Sequence, residues 1–180
     1  MTAAAKARLT AIIVAAGGGT RMGGEVEKQF RLFAGKPVLA HSVEAFLQHP
    51  ATERVVVVAA ETRMDTAKAA IGDLTGDERV LITAGGDRRQ DSVRAGLALA
   101  ADDAALVAIH DAARPLLPQD IITGLVAAME QSGAHDIMAA LPVLPVTDTL
   151  KSVKDDRVIG TTPRAGLGRA QTPQIFRRAH

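Results

Sequence analysis

Short apolar runs alternate with helix-period segments along most of this chain, and each run empties into a loop rich in glycine or charge. That alternation most narrows the fold. Positions 11–14, 54–60, 79–83, 105–109 and 136–141 are short, apolar and partly β-branched, and read as strands. Helices fit between them. Pro37 suits the first position of one, with Leu39, Val43, Phe46 and Leu47 on a single face; Ile122, Leu125, Val126 and Met129 share a face of another. Strand–helix–strand repeats make right-handed crossovers, so the expected fold is α/β with a mainly parallel sheet and helices on both faces. Unbroken runs such as 55–58 suit strands buried on both sides.

In such sheets ligands bind beyond the carboxyl ends of the strands, where loops from separate strands meet. Three segments there are dense in glycine, acid and cation: 17–28, 85–92 and 110–114. In the first, AIIVAAGGGTRMGGEVEKQF begins at Ala11 and carries Gly17, Gly18 and Gly19, with Arg21 and Lys28 as nearby cations. Glycines without Cβ let backbone N–H groups converge on phosphate oxygens, and the cations neutralise what the amides hold. A polyphosphate is the natural ligand. The Walker pattern fails, because Glu25 follows the Gly19-to-Gly24 spacing where Lys-Ser/Thr is required. The dinucleotide fingerprint fails at Met22, where its third glycine belongs. The plainer alternative is a tight strand-to-helix turn with solvated charges.

The second segment, Gly85-Gly86-Asp87-Arg88-Arg89-Gln90-Asp91-Ser92, leads from a strand into a helix, so amides and the positive helix end face the ligand. Its alternative is a Gly-Gly turn in which Asp87 or Asp91 caps the helix. The third, His110-Asp111-Ala112-Ala113-Arg114-Pro115, sets a hard carboxylate at the sheet edge. Asp111 is the metal candidate, because Mg²⁺ takes few protein carboxylates and completes its shell with phosphate oxygens and water. A turn-capping aspartate is the alternative. His110, at a strand end, reads as a hydrogen-bonded structural residue rather than a general base.

With 180 residues the chain suits one domain with a substantial core. Lys and Arg number 21 against 20 Asp and Glu, a net charge of +1, so no global basic field draws it to nucleic acid or membranes. Phosphate affinity must be local. Trp and Tyr are absent and Phe occurs four times, which leaves almost no stacking surface for single-stranded nucleic acid. Cysteine is absent, which rules out disulfides and thiolate metal sites and suits a reducing cytoplasm. The run at 11–16 is too short for a signal sequence and no stretch approaches a membrane span, so a soluble intracellular protein is expected. From 143 to 162 periodicity lapses into a proline- and threonine-marked excursion that reads as a projecting arm.

Ala15-Ala16-Gly17-Gly18-Gly19-Thr20-Arg21-Met22 and Lys28-Gln29-Phe30 resemble the nucleotide-binding signature of the sugar-nucleotidyltransferase superfamily. Within it they resemble the 2-C-methyl-D-erythritol 4-phosphate cytidylyltransferases, enzymes of non-mevalonate isoprenoid synthesis. HDAARP at 110–115 is similar to the family motif throughout, and so are the segments 148–151, 161–164 and 171–174. The resemblance implies a single nucleotidyltransferase domain over 1–180, a Rossmann-like three-layer α/β sandwich with a β-arm at about 143–165. It implies that CTP is held by Ala15, Ala16, Gly17, Gly18, Gly19, Gly86, Asp87, Ser92 and Ala112. Arg21 and Lys28 become the catalytic residues. Asp111, Arg114, Thr149, Arg164 and Thr172 go to the sugar-alcohol phosphate, with Asp111 also serving Mg²⁺. A cytoplasmic homodimer through the arm follows by the same resemblance.

The implied chemistry is self-consistent, since a phosphate monoester with a second pKa near ~6 is already a nucleophile at neutral pH. The protein's task is electrostatic. Two departures stand out. Family members continue for some tens of residues beyond position 180, through a threonine-aspartate stretch and an asparagine-x-lysine motif whose lysine meets the substrate phosphate. The expectation is therefore a fragment of a longer enzyme, the kind fused to a cyclodiphosphate synthase included, or a form that lost its C-terminal part. Thr20 also stands where many members carry a second basic residue. Two other functions remain open at this point: a different nucleotidyltransferase of the superfamily, and a non-catalytic CTP-binding module.

Overall fold

The computed structural model describes residues 8–17, 26–131 and 137–178. From the N-terminal side come β1 (Leu9–Val14), a 3-10 turn (Lys28–Phe30), β2 (Leu32–Phe33), β3 (Lys36–Pro37), α1 (Val38–Leu47) and β4 (Thr52–Ala59). Then follow α2 (Met64–Ile71), β5 (Val80–Ala84), α3 (Arg89–Leu97), β6 (Leu106–Asp111) and α4 (Gln119–Gln131). The remainder is all strand: β7 (Ala139–Ala140), β8 (Val143–Pro145), β9 (Leu150–Lys154), β10 (Arg157–Thr162), β11 (Gly168–Ala170) and β12 (Gln174–Arg177).

Six strands form the main sheet in the order β5-β4-β1-β6-β12-β7. β5, β4, β1 and β6 are parallel, and β12 runs antiparallel to both its neighbours. The chain winds outward from β1 through β4 to β5, then returns to place β6 on the other side of β1. Direction reverses between β1 and β6. A reversal of this kind is where open α/β sheets form a ligand-binding crevice at the carboxyl edge.

Alternation explains why the central strands are apolar throughout. Ala11, Ile13, Val55, Val57 and Ala108 face α1, α2 and α4, meeting Leu39, Val43, Phe46, Ala67, Ile71, Ile122, Val126 and Met129. Ile12, Val56, Val58 and Val107 face the other way, toward Ala95 of α3 and Leu99. Both faces are dry. Each of these larger side chains contributes about 1.5–3 kcal/mol on full burial. The helix at Pro37 starts one residue later than expected: Pro37 holds ψ at 141°, outside the helical region, so Val38 is the first helical residue. Leu39, Val43 and Phe46 form its buried stripe as expected.

The strand expected over 136–141 is confined to Ala139–Ala140 among the described residues. Pro142 follows, and its partner β12 offers only Ile175 and Phe176 to pair with. β12 itself is a strand that local periodicity did not indicate; it is held by antiparallel pairing to β6 and by complete burial of Ile175. The excursion does fold as a β-arm. β8 pairs with β11, and β9 with β10 through a turn in which Asp155 and Asp156 both take positive φ, 49° and 56°. Short acidic side chains tolerate that region better than most. Val153, Val158 and Ile159 stand exposed on the hairpin.

α3 lies on the sheet through small residues rather than an apolar stripe, its buried positions being Ser92 and Gly96. A Cβ on Gly96 would stand 2.5 Å from Ile12 Cγ2 and 3.1 Å from Val58 Cγ2. Only hydrogen fits. Gly96→Ala should therefore lower stability by roughly 1–3 kcal/mol through overpacking, despite the better helix propensity of alanine. A urea midpoint equal to or above that of the parent protein would contradict this account of the packing.

Candidate active site at the carboxyl edge of the sheet

The first loop leaves β1 with its backbone still paired, the Ala15 N–H donating to the Val58 carbonyl at 2.7 Å. Gln29 then closes the loop from the far side. Almost fully buried, it donates through Nε2 to the carbonyls of Ala15 at 2.9 Å and Gly17 at 3.2 Å. One amide thus holds the strand exit against the Lys28–Phe30 turn and keeps half-buried Lys28 at the edge occupied by Ala15, Ala16 and Gly17. Gly18, Gly19 and Arg21, expected to carry phosphate contacts and positive charge, lie outside the described residues.

The second loop packs directly onto the first. A Cβ on Gly85 would come 2.5 Å from Ser92 Oγ, 3.0 Å from Val58 Cγ1 and 3.1 Å from Ala16 Cβ, so glycine alone permits this approach. Ser92 is buried and its hydroxyl donates to the Gly86 carbonyl at 3.4 Å, bracing the turn from within. Asp87 is exposed. The capping alternative does not describe this helix: its N-cap residue is Arg88, without a side-chain cap. Asp91 pairs instead with Arg88 Nε at 3.0 Å, and that guanidinium holds its carboxyl below the usual carboxylate range.

The third loop begins where Asp111 stands opposite Val14 in the parallel register of β6 and β1. Ala112 extends that pairing, its N–H donating to the Val14 carbonyl at 3.1 Å while its own carbonyl accepts from buried Ser42 at 3.3 Å. Two guanidiniums hold the Asp111 carboxylate. Arg89 Nη2 reaches Oδ1 at 3.0 Å and Arg114 Nε reaches Oδ2 at 3.3 Å. Arg89, at the first position of α3, therefore joins the second loop to the third. Arg114 also donates through Nη1 to Gln171 Oε1.

His110 lies beneath this cluster, 1% exposed and edge-on to Phe46. Its Nε2 is 3.1 Å from the Arg114 carbonyl and its Nδ1 3.1 Å from Thr172 Oγ1, while the Asp111 N–H donates to the same hydroxyl at 3.3 Å. Thr172 is thus brought to Asp111 and Arg114 across 61 residues of chain. Beside them opens a cavity of about 260 Å³ lined by Phe33, His110, Arg114, Leu117, Gln171 and Thr172, among others. Thr149 and Arg164 are elsewhere. Both are exposed on the arm, where Arg164 donates to the Thr147 carbonyl, and among the described residues neither is bonded to the Asp111 cluster.

Three participants escaped sequence reasoning: Gln29, Arg89 and Gln171, whereas His110 is the hydrogen-bonded structural residue expected at the strand end. Gln29 and Gln171 lie inside the motifs that carry the family resemblance, but a glutamine's partners are not readable from its neighbours in sequence. For divalent metal, the donor set is one carboxylate, since among the described residues no group of three or more His, Cys, Asp or Glu could hold an ion. That set fits only an ion arriving with phosphate oxygens and water, and the carboxylate's two arginine contacts leave acceptor capacity on each oxygen.

A mainly parallel sheet with its loops gathered at the reversal point defines a Rossmann-like α/β protein. The chain belongs to the 2-C-methyl-D-erythritol 4-phosphate cytidylyltransferase (IspD) family, whose sequence profile matches residues 9–180. It is 49% identical to the bifunctional enzyme IspD/IspF of Rhizorhabdus wittichii over 97% of this chain and 43% of that protein. It is 42% identical to the 2-C-methyl-D-erythritol 4-phosphate cytidylyltransferase of Frankia casuarinae, over 97% of this chain and 62% of that one. The chain thus spans less than two thirds of either relative. Its structure is similar to the crystal structure of the Francisella tularensis family member, with a TM-score of 0.75 at 26% identity, over 96% of this chain and 73% of that one.

Burial pushes the His110 imidazole down from 6.5 to about 4, against the partial support of its bond to the Arg114 carbonyl. It is neutral at pH 7. Above about pH 6.5 neither folded nor unfolded histidine carries a proton, and stability is intact. As pH falls toward 4 the unfolded chain takes up a proton that the folded chain refuses, so stability declines, by roughly 3 kcal/mol across the window. Urea midpoints taken near pH 7 and near pH 4.5 should fall for the parent protein and fall less for His110→Phe. Parallel declines would show that this imidazole is not the group being titrated.

Proposed function

We propose that this chain carries the cytidylyltransferase activity of its family. The phosphate of 2-C-methyl-D-erythritol 4-phosphate attacks the α-phosphorus of CTP, forming 4-diphosphocytidyl-2-C-methyl-D-erythritol and releasing pyrophosphate. The observation that carries this reading is that the described parts of the three loops meet at the carboxyl edge where the sheet order reverses: Gly85 packs on Ala16, Arg89 bonds Asp111, and Gln29 closes the first loop on itself. The loops hold unlike groups suited to unlike parts of one reaction.

In this reading the backbone of Ala15, Ala16, Gly17, Gly18 and Gly19 cradles the triphosphate, and Gly86, Asp87, Ser92 and Ala112 hold the nucleoside. Lys28 and Arg21 face the charge that builds on the α-phosphate and the departing pyrophosphate, where fixed cations act most strongly. Asp111 would hold Mg²⁺, which when bound supplies positive charge shared between phosphate oxygens. Arg114 and Thr172 receive the sugar phosphate. No side chain need remove a proton, because the nucleophile is already mostly dianionic.

Thr149 and Arg164 enter the site from a second copy of the chain. Support comes from their exposure on the arm, apart from Asp111, and from the apolar side chains the same hairpin presents to solvent. Such an arrangement is a homodimer with shared sites. A cytoplasmic location belongs to the same reading and suits a chain without cysteine; no helix among the described residues is long and apolar enough to cross a membrane. The bifunctional relative supports a full-length protein with a second enzymatic domain.

Pyrophosphate release from CTP, GTP and UTP with the sugar phosphate and Mg²⁺ tests the assignment, and CTP should be preferred. Lys28→Ala and Asp111→Asn should each lower kcat by about 100-fold or more while CTP binding weakens less. Preference for another base would assign the chain to a different nucleotidyltransferase. CTP binding without turnover at high enzyme concentration would reduce it to a nucleotide-binding module.

A further inference from the structure

Among the described residues, His110 is the one deeply buried ionisable group at this edge of the sheet, and the proton-free mechanism above gives it nothing to do. Its hydrogen bonds nevertheless leave little freedom. The Arg114 carbonyl can only accept, so the 3.1 Å contact requires that Nε2 carry the ring proton. The other nitrogen then accepts. Thr172 must send its hydroxyl proton to Nδ1, at 3.1 Å. One lone pair of that oxygen takes the Asp111 N–H at 3.3 Å. What remains is a single lone pair.

We propose that His110 is a positioning residue of the sugar-phosphate half of the site: it anchors the turn that carries Arg114 and turns the Thr172 hydroxyl into an acceptor. The polarity matters for recognition. A phosphate offers only acceptors, so an acceptor Thr172 pairs with a hydroxyl of the polyol and leaves the phosphate to cations such as Arg114. The same bonds tie two distant stretches of chain, 110–114 and 171–172, into one wall of the cavity. A structural histidine that merely filled space would favour neither polarity of Thr172.

This inference rests on the cytidylyltransferase reading, and two measurements separate their fates. The first needs no turnover: the ¹⁵N spectrum of the imidazoles at neutral pH should show His110 as the Nε2-protonated tautomer. An Nδ1-protonated ring would overturn the proposal whether or not the enzyme is active. The second is kinetic. His110→Phe should raise KM for the sugar phosphate about tenfold, the worth of a lost buried hydrogen bond, while KM for CTP stays within about twofold. His110→Asn, whose amide oxygen can stand in for Nδ1, should recover part of that loss. Equal increases in both KM values, or none, would sink the positioning role, whereas an inactive parent enzyme would count against the functional reading and leave the tautomer to decide the tie.

Discussion

The parallel pairing of β1 with β6, which sets Val14 opposite Asp111, is the constraint on which the crevice depends. β1 is buried from Leu9 to Ile13 on both faces, so a slip of one residue would exchange its two dry surfaces and reverse every contact. The register is therefore fixed by packing. Because β4 and β5 lie on one side of β1 and β6 on the other, β1 and β6 flank the point where the winding order reverses, the usual place for a ligand in such sheets. Asp111 consequently emerges at the same height as the exit to the glycine loop. Further along, Ala15 and Ala112 prolong the ladder on either side, and the chemistry begins where that ladder ends.

Charge in the crevice is arranged around one carboxylate. Asp111 is about one-third exposed, with a guanidinium on each oxygen, one from the start of α3 and one from its own turn. As surface pairs these are worth little in stability, about 0–1 kcal/mol each. Their value is geometric. Arg89 links the loop after β5 to the loop after β6. Below, His110 and Thr172 do the same for the entry into β12, with uncharged hydrogen bonds that burial makes costly to leave unmade.

Much of the fold was legible in local pattern. β1, β4, β5 and β6 fall within two residues of the expected runs, because strands dry on both faces must be apolar at every position. Helix α1 declared itself through Leu39, Val43 and Phe46. Other elements did not. α3 packs through Ser92 and Gly96, so it has no apolar stripe to read, and β12 is four residues whose strand character comes wholly from its neighbours. Of the expected site residues, Gly86, Ser92, Asp111 and Arg114 lie in the segments that follow β5 and β6 at one edge of the sheet. Gln29 and Arg89 were not singled out, since a buried amide or an added arginine has meaning only once its partners are known.

Residue order alone determined the family of this chain, the alternation that makes the sheet parallel, and the three loops able to meet phosphate and metal. These are local properties: glycine without Cβ, apolar runs of strand length, an aspartate at a strand end. Tertiary structure decided which of those groups touch. It placed Arg89 on Asp111, Gln29 on the carbonyls of Ala15 and Gly17, and His110 between Arg114 and Thr172. Those contacts join positions up to 62 residues apart, and a hydrogen bond is set by distance and direction in space, which spacing along the chain does not encode.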